Sequence, residues 1–123
     1  MIQEAYVSFE VAKLLKEKGF KEITQGYINA DQEVYMLPFQ QGVYELSNKQ
    51  YPYPTHQMAM AWLREVHNIC IDIVSIWNLK RWEYQVFIIT PSTAAHPYID
   101  NTLYMGYEEA IDAALKYALE NLI

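Results

Sequence analysis

Few side chains in this sequence stand at spacings that chemistry requires. His67 and Cys70 are three residues apart in His67-Asn68-Ile69-Cys70, where two metal-ligand types lie close together. A structural zinc site needs four ligands and a catalytic one three. The sequence has neither a C-x-x-C pair nor an H-E-x-x-H helix to supply them. His67 is expected to end a helix and Cys70 to lie in a strand, so no metal is expected. The same two residues could in principle pair as thiol nucleophile and imidazole base. Nothing in the local sequence depresses the thiol pKa, and a strand cysteine more often packs as a small apolar group.

Other routes to catalysis are equally thin. The serines are Ser8, Ser47, Ser75 and Ser92, with no Gly-x-Ser-x-Gly elbow among them. Four isolated glycines provide no phosphate-cradling loop. His56 and His67 share a helix face but would lie roughly 16 Å apart along its axis. His96 sits in a proline-flanked connection. No catalytic residue and no cofactor is therefore expected. The densest polar run is Trp62-Leu63-Arg64-Glu65-Val66-His67. Arg64 and His67 are helical neighbours on a flank shared with Met60, which makes Met60, Arg64 and His67 a candidate binding patch. The structural alternative is that Arg64 packs its stem and His67 interacts with the helix end.

These residues need elements to hold them. Three helices are expected. The first covers Ser8 to Lys18, with Ser8 as cap, Val11, Leu14 and Leu15 as apolar stripe, and Gly19 as stop. The second runs from Thr55 to about His67, with Ala59, Trp62, Leu63 and Val66 facing the core. The third runs from about Tyr107 to the end, striped by Ile111, Ala114, Leu115, Ala118 and Leu122. Their starts share a pattern of cap, ring, Glu or Gln, any residue, alanine: Ser8-Phe9-Glu10-Val11-Ala12, Thr55-His56-Gln57-Met58-Ala59 and Gly106-Tyr107-Glu108-Glu109-Ala110. The segments between do not match, so this is recurring helix-start chemistry rather than a repeat.

Strands are expected at Ile23–Ile28, Glu33–Leu37 and Val43–Leu46, with turns at 29–32 and 40–42 and a loop from Ser47 to Pro54. The clearest strands follow the second helix. Ile69, Ile71, Ile73 and Trp77 alternate on one face, as do Trp82, Tyr84, Val86 and Ile88. For both faces to lie on one side, odd positions must pair with even ones. A tight connection through 78–81 predicts Trp77–Trp82, Ile73–Val86 and Ile71–Ile88. The reverse face then brings Cys70 near Ile89 and Asp72 near Phe87. That makes Cys70, Phe87 and Ile89 a candidate interface, covered by the 91–106 connection or by a second subunit. The core is expected to hold Leu15, Leu63, Val66, Ile111, Leu115 and Leu122.

Composition sets the outer limits. The 123 residues suffice for a single α+β domain over 1–123, with a mainly antiparallel sheet and three helices in the order α-β-β(-β)-α-β-β-α. Nine basic against fifteen acidic residues give a net charge of −6. Nucleic-acid binding needs a cationic footprint. The one lysine cluster, Lys13, Lys16, Lys18 and Lys21, is interleaved with glutamates. No nucleic-acid and no membrane partner is expected. No secretory signal is read at the N-terminus, and the lone cysteine fits a reducing, cytoplasmic setting. Eleven tyrosines suit half-buried sheet surfaces or a recognition surface.

The helical segments also carry a resemblance. Tyr6 to Phe20, Met58 to His67, and Tyr107-Glu108-Glu109-Ala110 through Ala114-Leu115-Lys116-Tyr117 to Asn121-Leu122-Ile123 resemble a group of small uncharacterised proteins encoded by phages and prophages of gut bacteria. The resemblance spans roughly a third of the chain and brings no activity or catalytic residue with it. It implies an intracellular protein made in an infected or lysogenic host. The expectation is a non-enzymatic accessory module that binds a protein partner or itself. The alternatives are a small enzyme using polar groups of helix 55–67, and an acidic inhibitor mimicking nucleic acid.

Overall fold

The computed structural model describes residues 4–36, 46–89 and 98–123. Three helices alternate with two groups of strands: α1 (Phe9–Glu17), β1 (Gly26–Asn29), β2 (Val34–Met36), β3 (Gln50–Pro52), α2 (His56–His67), β4 (Ile69–Ile76), β5 (Arg81–Ile88), β6 (Tyr98–Tyr104) and α3 (Tyr107–Asn121). The class is α+β, and every strand pair is antiparallel. The strands form two sheets, ordered β2-β1-β3 and β4-β5-β6. The different order of strands fits the reading that the similar helix starts are not a repeat.

Each helix begins where its cap chemistry sits. The Ser8 and Thr55 side chains accept hydrogen bonds from the N–H groups of Val11 and Met58. Gly106 caps α3 without a side chain, and Glu108 and Glu109 occupy that first turn, where negative charge is favourable. The alanine of the shared pattern has a packing reason: Ala12, Ala59 and Ala110 are all fully buried. The end of α1 is equally local. Gly19 adopts a φ of 93° and Phe20 N–H returns to Leu15 C=O at 2.9 Å, a glycine-terminated stop.

Helices α2 and α3 pack on one face of β4-β5-β6, while α1 packs on α3 and β3. The core between them contains Val11, Leu15, Trp62, Leu63, Ile69, Val86, Ile111, Leu115 and Leu119. Two expected core positions differ. Val66 is 54% exposed, because α2 leaves the core at its last turn and Ile69 of the following strand takes the buried place. Leu122 is only half-buried at the end of α3, and Leu119 supplies the full burial there.

The hairpin keeps the expected parity, but each residue of β4 meets a partner two positions earlier than expected. Ile71 faces Val86, Ile73 faces Tyr84 and Ser75 faces Trp82. A four-residue turn, Trp77 to Lys80, closes the hairpin, with Lys80 left-handed at φ 54°. Trp77 therefore sits in the turn rather than in the strand. A slide of two leaves odd positions opposite even ones, so the apolar face survives the correction. On the reverse face Cys70 now meets Phe87, Asp72 meets Gln85, and Ile89 lies just past the ladder.

Two segments read as connections contain strand. Gln50–Pro52 forms β3 within the stretch expected to be a loop. Proline is tolerated there because β3 is an edge strand and Pro52 is its last residue. Tyr98–Tyr104 forms β6 along β5, within the 91–106 stretch. The remainder of that stretch up to residue 97, the expected turn at 40–42 and most of the expected strand Val43–Leu46 lie outside the described residues. The turn at 29–32 is present, built by the Asn29 side chain, which accepts from Asp31 N–H and Glu33 N–H. Gly26 is required where β1 meets β2. A Cβ there would fall 2.5 Å from Tyr35 C=O.

Candidate functional site

Asp112 joins the starts of two helices to the third. Its Oδ1 accepts from Ser8 N–H at 3.0 Å and from His56 Nε2 at 3.1 Å. Burial alone would raise the carboxyl. The hydrogen bonds from His56 and Ser8 outweigh it and hold Asp112 below the usual carboxylate range. His56 is the buried polar residue among the described residues, 5% exposed. Its own backbone N–H binds Ala5 C=O, which draws the segment before α1 along the start of α2. Tyr6 also bridges Thr55 and stacks on Tyr53 with centroids 4.8 Å apart.

With Nε2–H donating to Asp112, His56 has Nδ1 as a lone-pair acceptor, and that atom is buried without a partner. A cleft of about 180 Å³ opens beside it, lined among others by Glu4, Thr55, His56, Gln57, Tyr107 and Glu108. A carboxylate on one imidazole nitrogen orients the ring as general bases require. Among the described residues no hydroxyl or thiol bonds to that nitrogen. The Ser8 and Thr55 hydroxyls cap α1 and α2, accepting from Val11 N–H and Met58 N–H. The geometry is that of a latch across three helices.

The residues singled out from sequence do not form one site. Met60 is half-buried and packs against the core. Arg64 is about half-exposed and approaches Glu65 no closer than 4.0 Å, a contact worth little in solvent. His67 lies edge-on against Trp62 at 4.7 Å, and its Nε2 is buried without a partner. No cleft gathers Arg64 and His67 with a carboxylate among the described residues. Cys70 and Phe87 are paired and half-buried on the reverse face of the larger sheet, and Ile89 is exposed at its end. Burial and Asp72 push the Cys70 thiol up, with Arg64 opposing, so it is a poor nucleophile. Among the described residues, no group of three His, Cys, Asp or Glu side chains is placed to hold a metal. His96 lies outside them. No helix of the described residues is long and apolar enough to cross a membrane.

Two features escaped the sequence reading. Asp112 was legible as one acidic residue flanked by Ile111 and Ala113 in an otherwise apolar helix segment, but its partners are distant in sequence. The other is the hairpin end of the larger sheet. Trp77 is 82% exposed there, Leu79 52%, and Met105, which follows the β6 residue paired with Trp82, 72%. Beneath them Trp82 contacts Tyr107 edge-on at 5.1 Å.

The tyrosines are mostly structural. Tyr84 is buried among Tyr98, Tyr104 and Tyr117, and Tyr98 and Tyr117 stack with centroids 4.0 Å apart. Tyr104 donates to Asp100 at 2.7 Å. Burial, that hydrogen bond and the Asp100 charge push the Tyr104 hydroxyl up to about 12. Comparison of the chain with family models, with curated proteins and with solved structures gives no match.

Proposed function

We propose that the chain is a non-enzymatic protein-binding module, an accessory protein of the phage type acting in the host cytoplasm, which docks its partner at the hairpin end of β4-β5-β6. The observation that carries this reading is Trp77, 82% exposed on a closed turn with Leu79 and Met105 exposed at the same end. An uncovered tryptophan contributes nothing to this core. Tryptophan is also among the side chains most enriched where interfaces concentrate their energy. Exposed apolar groups of this kind gathered at one place mark interaction surfaces. Lys80 and Arg81 sit in and beside the turn, while the chain as a whole is acidic, so the apolar tip has a local positive rim. The Cys70, Phe87 and Ile89 positions lie at the opposite end of the same sheet and would extend the contact along its reverse face.

A photo-crosslinking residue in place of Trp77 tests this inside the host cell, with the same residue in place of Glu120 on exposed α3 as control. A discrete adduct at position 77 alone, of a mass other than twice the chain, is expected. The reading fails if positions 77 and 120 give the same pattern.

A further inference from the structure

Among the described residues the two sheets present four edge strands, and two of them, β3 and β6, carry features by which proteins prevent unwanted pairing. β3 has three residues and ends in Pro52. β6 breaks register against β5, stepping from Asp100 to Tyr104 while β5 moves only from Tyr84 to Trp82, and it carries the charge of Asp100. β4 shares only the charge, one exposed carboxylate at Asp72. It is eight residues long, Ile-Cys-Ile-Asp-Ile-Val-Ser-Ile, with no proline, no lysine and no bulge, and its ladder with β5 is unbroken from Ile69 to Ile76. On its other side no backbone or side-chain group bonds to it among the described residues. Alternate N–H and C=O groups of a regular strand there face outward.

We infer that β4 pairs with β4 of a second copy, antiparallel about a two-fold axis, to make one continuous six-stranded sheet. A second copy is the occupant because β4 complements itself. The axis relates the strand to an antiparallel partner of identical length and twist, and two-fold pairing is the commonest closed assembly. The faces restrict the register. Apolar inner faces stay on one side only if odd positions meet odd ones. An axis through Ile73 satisfies this, pairs Asp72 with Val74 of the second copy, and stacks the two Ile73 side chains. An axis through Asp72 would set two carboxylates face to face, which is unfavourable. The inference does not depend on the hairpin-end reading, since it uses the backbone of the edge and not the side chains of the turn.

The register makes an unusual prediction for one position. Val74 is half-buried on the reverse face of the sheet and faces Glu83 of β5 in its own chain, so the thermal unfolding of each variant as a monomer separates that contact from the one across the axis. Val74→Asp places a carboxylate opposite Asp72 twice across the axis, and Val74→Lys places an ammonium there. Sedimentation equilibrium of the purified chain should give a dimer for the unaltered protein and for Val74→Lys. Val74→Asp should weaken it by about 100-fold, the scale of like charges brought together at an interface. A monomer at all concentrations of the unaltered chain overturns the inference, as does a dimer that responds to both charges alike. Should Val74→Asp lose its fold by circular dichroism, amide exchange of the unaltered chain decides. Protection of β4 that rises with concentration while that of β6 does not supports the pairing. Equal change in both strands, or none, overturns it, and added extended peptide protecting β4 without self-association assigns the edge to peptide binding instead.

Discussion

The two sheets of this protein are held by different means. Strands β4, β5 and β6 have eight, eight and seven residues, and their inner face lies on α2 and α3. Strands β1, β2 and β3 have four, three and three; β3 packs on α1, and β1 adds the single buried side chain of Ile28 to the shared core. The larger sheet is an apolar surface looking for a cover. The smaller one is fastened by particular groups. Lys16 of α1 donates to Ser47 C=O and Gln50 C=O and lies over the Tyr51 ring, while Phe9 meets that ring edge-on. Area sets the position of one sheet, and a few directional contacts set the other.

The largest effect should come from the shared core. Leu63 is fully buried between α2 and its neighbours, so Leu63→Ala should cost about 2–5 kcal/mol in equilibrium unfolding. Val66, three residues on but 54% exposed, should change stability by less than about 0.5 kcal/mol when cut to alanine. Equal costs would mean that α2 does not leave the core at its last turn.

Next in size is the latch. Asp112→Asn leaves buried His56 with a weaker acceptor and should cost about 1–3 kcal/mol. Asp112 is held below its unfolded value of 3.8. Its carboxylate therefore contributes stability that is fully present above about pH 5 and is lost as pH falls through 4 and below. The acid arm of the stability curve should flatten in Asp112→Asn. An unchanged acid arm would remove Asp112 from the groups that tie the helix starts together.

The smallest global effect should come from Lys16→Ala, about 0.5–1.5 kcal/mol for its charge-assisted bonds to two carbonyls. Its local effect should be larger. Amide exchange should quicken in β1 and β3 while β4 and β5 keep their protection. Uniform quickening would show the two sheets to be one cooperative unit and erase the contrast between them.

The same contrast explains what the sequence made legible. The helices were readable to within a residue or two, because cap, stripe and stop are all local: Ser8 and Gly19 bracket α1, Thr55 opens α2 and Gly106 opens α3. The β4–β5 faces were readable because alternation over eight residues is a strong signal. Their register was not, because the turn type depended on Lys80 taking a left-handed conformation, which only a few residue types commonly do and lysine is not among them. Strand β3 was hidden behind Pro52 and Pro54, since edge pairing rescues a segment whose own propensity is poor. The latch was hidden for a different reason. His56 reads as an ordinary first-turn residue and Asp112, with Glu108 and Glu109, as negative charge near a helix start, and only the crossing of three helices gives either a partner.

That crossing also governs when the protein can become itself. Asp112 bonds to Ser8 across 104 residues of chain and to His56 across 56. Closures of that span are slow, because the loop must be restricted before any contact rewards it. On the ribosome the first two helices emerge well ahead of the residue that fastens them. Until Asp112 clears the exit tunnel, Val11, Leu15 and Leu63 have no third helix to cover them, and nascent chains stopped short of that point should remain protease-sensitive. The core thus matures only after α3 has been made, with α3 acting as the closing step for α1.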